Sequence, residues 1–203
     1  MPKTAFEPSI NSRPVYGTLE PRPGKAHLMI ADAEGAEAIL DLAKSAPEGL
    51  FAQSHIIFIR KATGDKYTAA LKGLNPAQFY NGPSYEASVS RLRRVLKDAH
   101  MGLQVYLAGT EGLMGQAMLE ATTAGIPHSA IQTEHRGSTA RRMQCVHCKG
   151  ITEDVTTDPF QCGHCGLNLF VRDHYSRRIA AFQGVRVDAE DPGNVPEPVE
   201  RFK

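Results

Sequence analysis

The segments Cys145-Val146-His147-Cys148 and Cys162-Gly163-His164-Cys165 contain all four cysteines of the 203-residue chain, with 13 residues between the two pairs. Each pair has the spacing C-x-x-C, in which two thiolates close in sequence can bind one side of a tetrahedral ion. Two such pairs are typical of a zinc ribbon or a rubredoxin-type site. The sequence therefore predicts a metal centre with four ligands, namely Cys145, Cys148, Cys162 and Cys165.

The residues around the cysteines strengthen this interpretation. Glycines follow or lie within both pairs, at Gly150, Gly163 and Gly166, where a knuckle turns tightly and backbone amides approach the sulfurs. The histidines at positions 147 and 164 are left out of the ligand set, because four cysteines already complete a tetrahedron. Four unpaired thiols, or two disulfides in an oxidising compartment, are the alternatives. No apolar signal segment follows Met1, so we expect a cytoplasmic protein.

Cysteine spacing does not distinguish zinc from iron, since both accept four thiolates in tetrahedral geometry. Zinc would fold a ribbon that is too small to fold alone, whereas iron would make the chain an electron carrier. Rubredoxin-type centres are usually set in aromatic packing. This segment has only four aromatic residues, and the chain has no tryptophan. Zinc is therefore the predicted metal, and iron is the alternative.

Composition argues against two classes of partner. The chain has 23 lysines and arginines against 22 aspartates and glutamates, a formal charge of +1. Proteins that bind nucleic acid usually show a basic surface, and here basic residues form only local clusters, such as Arg136, Arg141 and Arg142. The longest apolar runs have the length of strands, well short of the roughly 18 residues that a membrane span needs. We expect a soluble protein that binds neither nucleic acid nor a membrane.

Proline density and cysteine position suggest four regions. Residues 1–25 contain five prolines and are predicted to be an extended arm, either disordered or wrapped around a partner subunit. Residues 26–137 are predicted to form an α/β domain and residues 138–190 the four-cysteine ribbon. Residues 191–203 are predicted to be a proline-rich tail.

Within residues 26–137, short apolar runs alternate with amphipathic stretches. Strands are predicted at residues 26–31, 55–59, 103–107 and 130–133, and helices at 34–44, from an N-cap at Ser84 to about 100, and up to Ala124. Residues 61–83 are predicted to be irregular because glycine and proline interrupt any helix. Strands that alternate with helices at this spacing indicate an α/β fold with a parallel sheet, followed here by the small ribbon.

The stretch Val105-Tyr106-Leu107-Ala108-Gly109-Thr110-Glu111-Gly112-Leu113-Met114 resembles the final βαβ unit of the NAD(P) module of ferredoxin reductases. The resemblance implies a reductase-like sheet and makes Gly109, Thr110 and Gly112 weak candidates for cofactor binding. The chain departs from the family at several positions. It has Ala108 where the family has cysteine, Thr110 where it has proline, and Arg136 where an aromatic residue covers the flavin.

Two further departures concern the phosphates and the flavin of that family. The loop after the first strand, at residues 31–35, offers one glycine and two carboxylates, which would repel a diphosphate. Only a 25-residue arm stands where the family has a flavin-binding barrel of about 100 residues. We therefore expect a reductase-like sheet that serves as a docking scaffold.

The block Val171-Arg172-Asp173-His174-Tyr175-Ser176-Arg177-Arg178, beside the second cysteine pair, resembles the C-terminal segment of the small subunit of bacterial dimethylamine monooxygenase. That family is also described as heme-dependent oxidative N-demethylase and belongs to methylamine metabolism. The resemblance implies an accessory subunit of an NAD(P)H-dependent, multi-subunit monooxygenase. Its partners would be a heme subunit, a reductase subunit with flavin and an iron–sulfur cluster, and a tetrahydrofolate-linked subunit. We assign no catalytic residue, because no constellation of nucleophile, base and orienting group is visible.

The arginines of this block, Arg172, Arg177 and Arg178, have two interpretations. Near Tyr175 they could make desolvated contacts with the carboxylates of a partner, since arginine and aromatic residues are enriched where interfaces are anchored. The alternative is a solvated basic strand edge. A small iron-dependent electron-transfer protein, and a zinc-ribbon protein that binds nucleic acid, remain the other hypotheses for the whole chain.

Overall fold

A computed structural model describes residues 12–60 and 65–203 of the chain. These residues form two compact units. One comprises residues 16–60 and 65–140 together with Phe202 and Lys203, and the other comprises residues 12–15 and 141–201. They are referred to below as the sheet unit and the ribbon unit.

The sheet unit is built on five parallel strands in the order β3-β2-β1-β4-β5. The strands are β1 (Ala26–Asp32), β2 (Ser54–Ile59), β3 (Gln78–Gly82), β4 (Leu103–Gly109) and β5 (Ile131–His135). The helices are α1 (Gly35–Ser45), α2 (Thr68–Gly73), α3 (Tyr85–Lys97) and α4 (Glu111–Thr123). The predicted α/β fold with a parallel sheet is confirmed.

Helices cover both faces of the sheet. Met29 and Ala31 of β1 belong to one core cluster with α1 and α2, whereas Leu28 and Ile30 belong to a second cluster with α3 and α4. Successive side chains of a strand point to opposite faces, and both faces are buried here, so the strands read as continuous apolar runs. The strand order reverses between β1 and β4, and ligands of open α/β sheets bind at the carboxyl ends of the strands at such a switch point.

The prediction for residues 61–83 was wrong in part. Beyond residues 61–64, which lie outside the described residues, this segment contains the six-residue helix α2 and the strand β3. β3 lies at the edge of the sheet, and its aromatic residues Phe79 and Tyr80 are only partly buried. A short edge strand and a helix of less than two turns leave a weak periodic signal among the glycines and prolines, so the sequence pattern hid both.

Helix ends follow local chemistry. The Ser84 hydroxyl accepts a hydrogen bond from the Ala87 amide at 3.3 Å, which confirms the predicted N-cap of α3. α4 ends at Thr123, and Gly125 after it has a φ of +87°, a conformation that glycine adopts without strain. α3 ends at Lys97, about three residues before the predicted end.

Part of the predicted arm lies against its own sheet unit. The Gly17 amide donates to the Thr133 carbonyl at 2.9 Å, and the Glu20 backbone exchanges two hydrogen bonds with the Gln132 side chain. Leu19 is 5% exposed and packs into the core cluster beside α1. Residues 17–20 thus line the β5 edge, while residues 1–11 of the predicted arm lie outside the described residues.

The ribbon unit contains a second sheet in the order β7-β6-β11-β10-β9. Its strands are β6 (Arg141–Cys145), β7 (Ile151–Val155), β9 (Phe160–Gln161), β10 (Asn168–Ser176) and β11 (Ala181–Arg186). β6 and β11 are parallel, and the other pairs are antiparallel. β10 forms a hairpin with β11 that contains a bulge between Arg172 and Tyr175.

The last residues are also paired. β12 (Val199–Glu200) lies antiparallel to β8 (Thr157–Asp158), and Arg201 makes an ion pair of 2.9 Å with Asp158. In the sheet unit, the Thr139 amide and hydroxyl both donate to the Lys203 carbonyl. The end of the segment predicted as a proline-rich tail is therefore held by backbone and side-chain contacts.

Candidate metal centre

The four cysteines lie together in the ribbon unit. Their sulfur atoms are all within 4.8 Å of one another, and two of the distances, Cys145 to Cys165 and Cys148 to Cys162, are 3.8 and 3.7 Å. A tetrahedron with Zn–S bonds of about 2.3 Å has edges of about 3.8 Å. A disulfide needs an S–S distance of about 2.05 Å. The geometry therefore fits four thiolates around one ion and does not fit two disulfides.

The two cysteine pairs lie on two backbone turns of the same kind. The amide of the first cysteine donates to the carbonyl five residues on, as Cys145 to Gly150 at 3.0 Å and Cys162 to Leu167 at 2.9 Å. The residue four positions on, Lys149 or Gly166, donates back to the carbonyl of that first cysteine and has a positive φ of 64° or 74°. The ribbon thus contains two copies of one knuckle, facing each other across the sulfur cluster.

Gly150 was predicted to be a turn glycine, but the structure gives it a different role. The turn position of the first knuckle is Lys149, and a Cβ on Gly150 would lie 2.5 Å from the His164 ring. The His164 Nε2 atom lies 2.7 Å from the Ile151 carbonyl, so this imidazole contacts the backbone of the opposite knuckle. Gly150 is therefore needed for the close approach of the two knuckles.

Hydrogen bonds favour the thiolate form of Cys162, whereas at Cys165 the Leu167 amide is outweighed by desolvation and the neighbouring thiols, which raise the pKa to about 12. Burial raises the pKa of the Cys162 thiol, but donors outweigh it and bring the pKa down to about 6. These donors are the backbone amides of Cys165 and His164 and the neighbouring thiols. The Gly150 amide points at the Cys148 sulfur at 3.4 Å. Amides directed at sulfur stabilise the negative charge that metal binding requires.

The cluster has one covered side and one open side. Cys145 and Cys162 are buried against Met143, Leu169 and Phe182, whereas Cys148 and Cys165 are exposed. Four soft thiolates at these distances suit zinc or a single iron, and the donor set is complete without another residue or a water molecule. A site with four protein ligands has no open position at the metal for a substrate.

The weak cofactor candidates lie at the switch point of the sheet unit. Gly109 ends β4 with a φ of +123°, and a Cβ there would lie 1.8 Å from an Asp32 carboxylate oxygen. Thr110 is the N-cap of α4, and its amide and hydroxyl donate to the two Asp32 oxygens at 2.8 and 2.6 Å. Gly112 lies in the first turn of α4, and its carbonyl accepts from Gln116.

Asp32 is the residue beside the cofactor candidates whose contact sequence reasoning missed. The pattern marked it as a carboxylate that repels a diphosphate, but not as the partner of Thr110, 78 positions away. It is fully buried at the end of β1, and its charge lies at the N-terminus of α4, where a parallel sheet often binds the anionic part of a ligand. The chain's own carboxylate therefore provides the negative charge there.

The neighbouring turn from β1 to α1 is also short and tightly packed. Only Ala33 and Glu34 separate the strand from the helix, and the Ala33 amide donates to the Ile59 carbonyl at 3.0 Å. A Cβ on Gly35 would lie 2.3 Å from the Ala108 carbonyl oxygen, so the helix packs directly on the end of β4. Arg136, which stands where the flavin-covering aromatic would be, pairs with Glu134 and Asp41.

In the block at residues 171–178, the exposed Asp173 and the buried Tyr175 both contact the ribbon core. Asp173 forms an ion pair of 2.7 Å with the buried Arg141, whose guanidinium lies over the Phe182 ring. Tyr175 is 9% exposed and packs edge-on against Phe182 with ring centroids 4.9 Å apart. Tyr175 is thus part of the core and does not stand at the surface beside the arginines.

A doubly wound parallel sheet followed by a ribbon with four clustered cysteines defines the class of this chain, an α/β protein with a candidate C-terminal metal ribbon. The chain belongs to the dimethylamine monooxygenase subunit DmmA-like family. The N-terminal domain model of that family matches residues 8–131 and its C-terminal domain model matches residues 142–185.

One curated relative supports the same family. The chain is 34% identical over 101 residues to the heme-dependent oxidative N-demethylase delta subunit of Ectopseudomonas mendocina (strain ymp). The match covers 50% of this chain and 58% of the relative. The chain therefore matches a little over half of the relative's length.

Two solved structures are similar to part of the chain. A flavohemoglobin from Malassezia yamatoensis with bound FAD and heme has a TM-score of 0.38 at 20% identity, covering 57% of this chain and 33% of that protein. The full-length CYP116B46 from Tepidiphilus thermophilus has a TM-score of 0.40 at 16% identity, covering 66% and 19%. At these TM-scores the likeness carries no conclusion about this chain. Among the described residues, no helix is long and apolar enough to cross a membrane.

Proposed function

We propose that this chain is an accessory subunit of a multi-subunit monooxygenase that oxidatively N-demethylates dimethylamine or a similar secondary amine. Family membership carries the proposal, together with the likeness to an oxidative N-demethylase delta subunit. In this proposal the four cysteines hold a structural zinc ion. Heme, flavin and an iron–sulfur cluster belong to partner subunits, one of which handles formaldehyde through tetrahydrofolate.

Two features of the described residues support a noncatalytic role. The cysteine cluster is complete with protein ligands, so it offers no open position for a reacting group. At the switch point, Asp32 bonds to Thr110 where a nucleotide would need cationic or neutral donors. We therefore propose that Gly109, Thr110 and Gly112 shape the sheet and do not bind NAD(P)H.

Zinc would supply cohesion to the ribbon unit. It would join the knuckle after β6 to the knuckle before β10, through Cys145 and Cys148 on one side and Cys162 and Cys165 on the other. The ribbon's core is small, and structural zinc contributes folding free energy directly in such modules. We propose that a rigid ribbon presents the chain's docking surface to the other subunits and that the protein acts in the cytoplasm.

The first experiment is metal analysis with a visible spectrum of the purified chain. Colourless protein with about one zinc per chain supports the proposal. Red protein with stoichiometric iron that bleaches on reduction contradicts the zinc assignment. It would favour the second candidate, a small electron-transfer subunit, for which the exposed Cys148 and Cys165 give a short path to a partner.

The second experiment tests assembly. Cys162→Ser removes a buried thiolate from the cluster, and we expect loss of stoichiometric zinc together with loss of assembly with the remaining subunits. His147→Ala changes an exposed residue of the first knuckle that is not among the four clustered ligands, so it should keep both zinc and assembly. Unchanged assembly and turnover with Cys162→Ser would refute the accessory role of the ribbon.

A further inference from the structure

The hairpin of β10 and β11 has one face that the contacts of this chain explain and one face that they do not. Asp173 and Tyr175 hold the hairpin to β6 and to the ribbon core through Arg141 and Phe182. The outward side chains Arg172, His174, Arg177 and Arg178 are exposed and make no hydrogen bond or ion pair with the described residues.

These unpaired arginines differ from the other arginines of the ribbon unit. Each of the other five has an acidic partner within 4.0 Å, and they are Arg13, Arg141, Arg142, Arg186 and Arg201. Within residues 12–60 and 65–203, the ribbon arginines without an acidic partner are therefore those of the hairpin, Arg172, Arg177 and Arg178. Three guanidinium groups along one strand and its turn form a local patch of positive charge.

An apolar spot lies beside this patch. Phe170 is 36% exposed, and it pairs across the hairpin with the partly buried Val185. Arg172 is two residues along the same strand, so both side chains project from the same side of the sheet. An exposed aromatic residue next to arginines is the composition of an interface centre.

The formal charge of the ribbon unit indicates which kind of partner the patch can bind. The described residues of the ribbon unit, 12–15 and 141–201, contain nine lysines and arginines and nine aspartates and glutamates, a formal charge of zero. A nucleic acid or an anionic membrane presents negative charge over a wide area and would meet these acidic groups as well as the patch. A protein surface with a few clustered carboxylates around an apolar spot matches the patch in both charge and size.

We propose that the outer face of the β10–β11 hairpin, formed by Phe170, Arg172, Arg177 and Arg178, is the docking surface for an acidic protein partner. The partner contributes aspartate or glutamate carboxylates that pair with the guanidinium groups around Phe170. This inference rests on the proposed function in one respect, since it takes the partner to be another subunit of the same complex.

The test measures the affinity of the purified chain for the remaining subunits of its complex at several salt concentrations. The variant Arg172→Gln/Arg177→Gln/Arg178→Gln removes three charges and leaves the inward contacts of Asp173 and Tyr175 in place. We expect affinity at low salt to fall about 10- to 100-fold, with a shallower salt dependence, because both the contacts and the steering field are lost. Metal content and thermal midpoint should stay as in the unsubstituted chain.

The matched control is Arg186→Gln, which removes an exposed arginine that is already paired with Asp188. It should bind like the unsubstituted chain. If the triple variant also binds equally well, the surface proposal is overturned while the proposed function stands. If the unsubstituted chain does not join the complex at all, the proposed function fails and this proposal fails with it. Retention of a single-stranded oligonucleotide that only the triple variant loses would overturn the protein partner in favour of nucleic acid.

Discussion

At the scale of single residues, Asp32 occupies the N-terminus of α4 at the carboxyl edge of the sheet. Its two oxygens accept from the amide and the hydroxyl of Thr110 at the N-terminus of α4. This arrangement satisfies helix donors with an internal anion. Gly109 completes it, because any side chain there would occupy the place of the carboxylate.

Asp32→Ala should lower the free energy of unfolding of the sheet unit by about 2–3 kcal/mol, because two buried donors lose their acceptor. Asp32→Asn keeps one carbonyl acceptor and should cost less. Urea unfolding followed by circular dichroism measures both. Equal stability of Asp32→Ala and the unsubstituted chain would show that the bonds to Thr110 contribute nothing.

His55 gives the sheet unit a pH dependence. Burial, and then the charge of Arg91 nearby, lower the pKa of His55 from 6.5 to about 4. The unfolded chain therefore binds a proton between these values that the folded chain does not. The contribution of His55 to the free energy of unfolding is therefore fully present above pH 6.5. It is lost as the pH drops toward 4, by at most about 3 kcal/mol. The sign follows from the lowered pKa in the folded state.

His55→Gln should reduce the slope of the stability curve between pH 4.5 and 7, measured by urea unfolding at fixed ionic strength, and the lowered pKa of the buried His27 should leave a residual slope of the same sign. His128→Gln, which changes an exposed histidine outside the core, is the control and should keep the slope of the unsubstituted chain. A slope that is the same in all three proteins would rule out His55 as its source.

At the scale of elements, the N-terminal segment closes one edge of the parallel sheet. An edge strand presents unpaired backbone groups, and natural proteins cover such edges. Residues 17–20 cover β5 through one backbone bond, the side-chain bonds of Gln132 and the buried Leu19. The segment is thus anchored by one apolar side chain and a few polar contacts.

Leu19→Ala should cost about 2–4 kcal/mol, the usual range for truncating a buried leucine. It should also speed amide hydrogen exchange at Gly17 and along β5. Val15→Ala, at a position that is 89% exposed, should change neither quantity. If Leu19→Ala leaves exchange at Gly17 unchanged, the segment is held by its polar contacts and not by Leu19.

At the scale of the whole molecule, two units carry separate cores. The sheet unit buries two apolar layers around five strands, whereas the ribbon unit has one small cluster that includes Cys145 and Cys162. A core of the latter size rarely folds without a metal or disulfides. The two units should therefore respond differently to loss of the metal.

Treatment with a zinc chelator should unfold the ribbon unit and leave the sheet unit folded. Hydrogen exchange would then show lost protection across residues 141–186 and unchanged protection in β1, β2 and β4. Restoring one equivalent of zinc should restore the lost protection. Protection lost equally in both units, or in neither, would contradict a structural metal that serves the ribbon alone.

Local patterns in the sequence were enough to predict four of the five parallel strands, the three longer helices, the Ser84 cap and the cysteines that cluster. Each depends on spacing within a few residues, such as the period of a helix or the C-x-x-C pair. The pattern failed at α2 and β3, which are short and lie at an edge, where partial burial leaves little periodicity.

Only the tertiary structure decided the contacts between distant residues. It placed Asp32 on Thr110, laid residues 17–20 along β5, and turned Tyr175 into the core while leaving Phe170 and three arginines outside. The bulge in β10 shifts its pairing with β11 between Arg172 and Tyr175, and no period in the sequence predicts it. Sequence determined most of the elements and the cysteines that cluster because those depend on local spacing, whereas the Asp32–Thr110 contact and the exposed hairpin residues depend on which strands become neighbours.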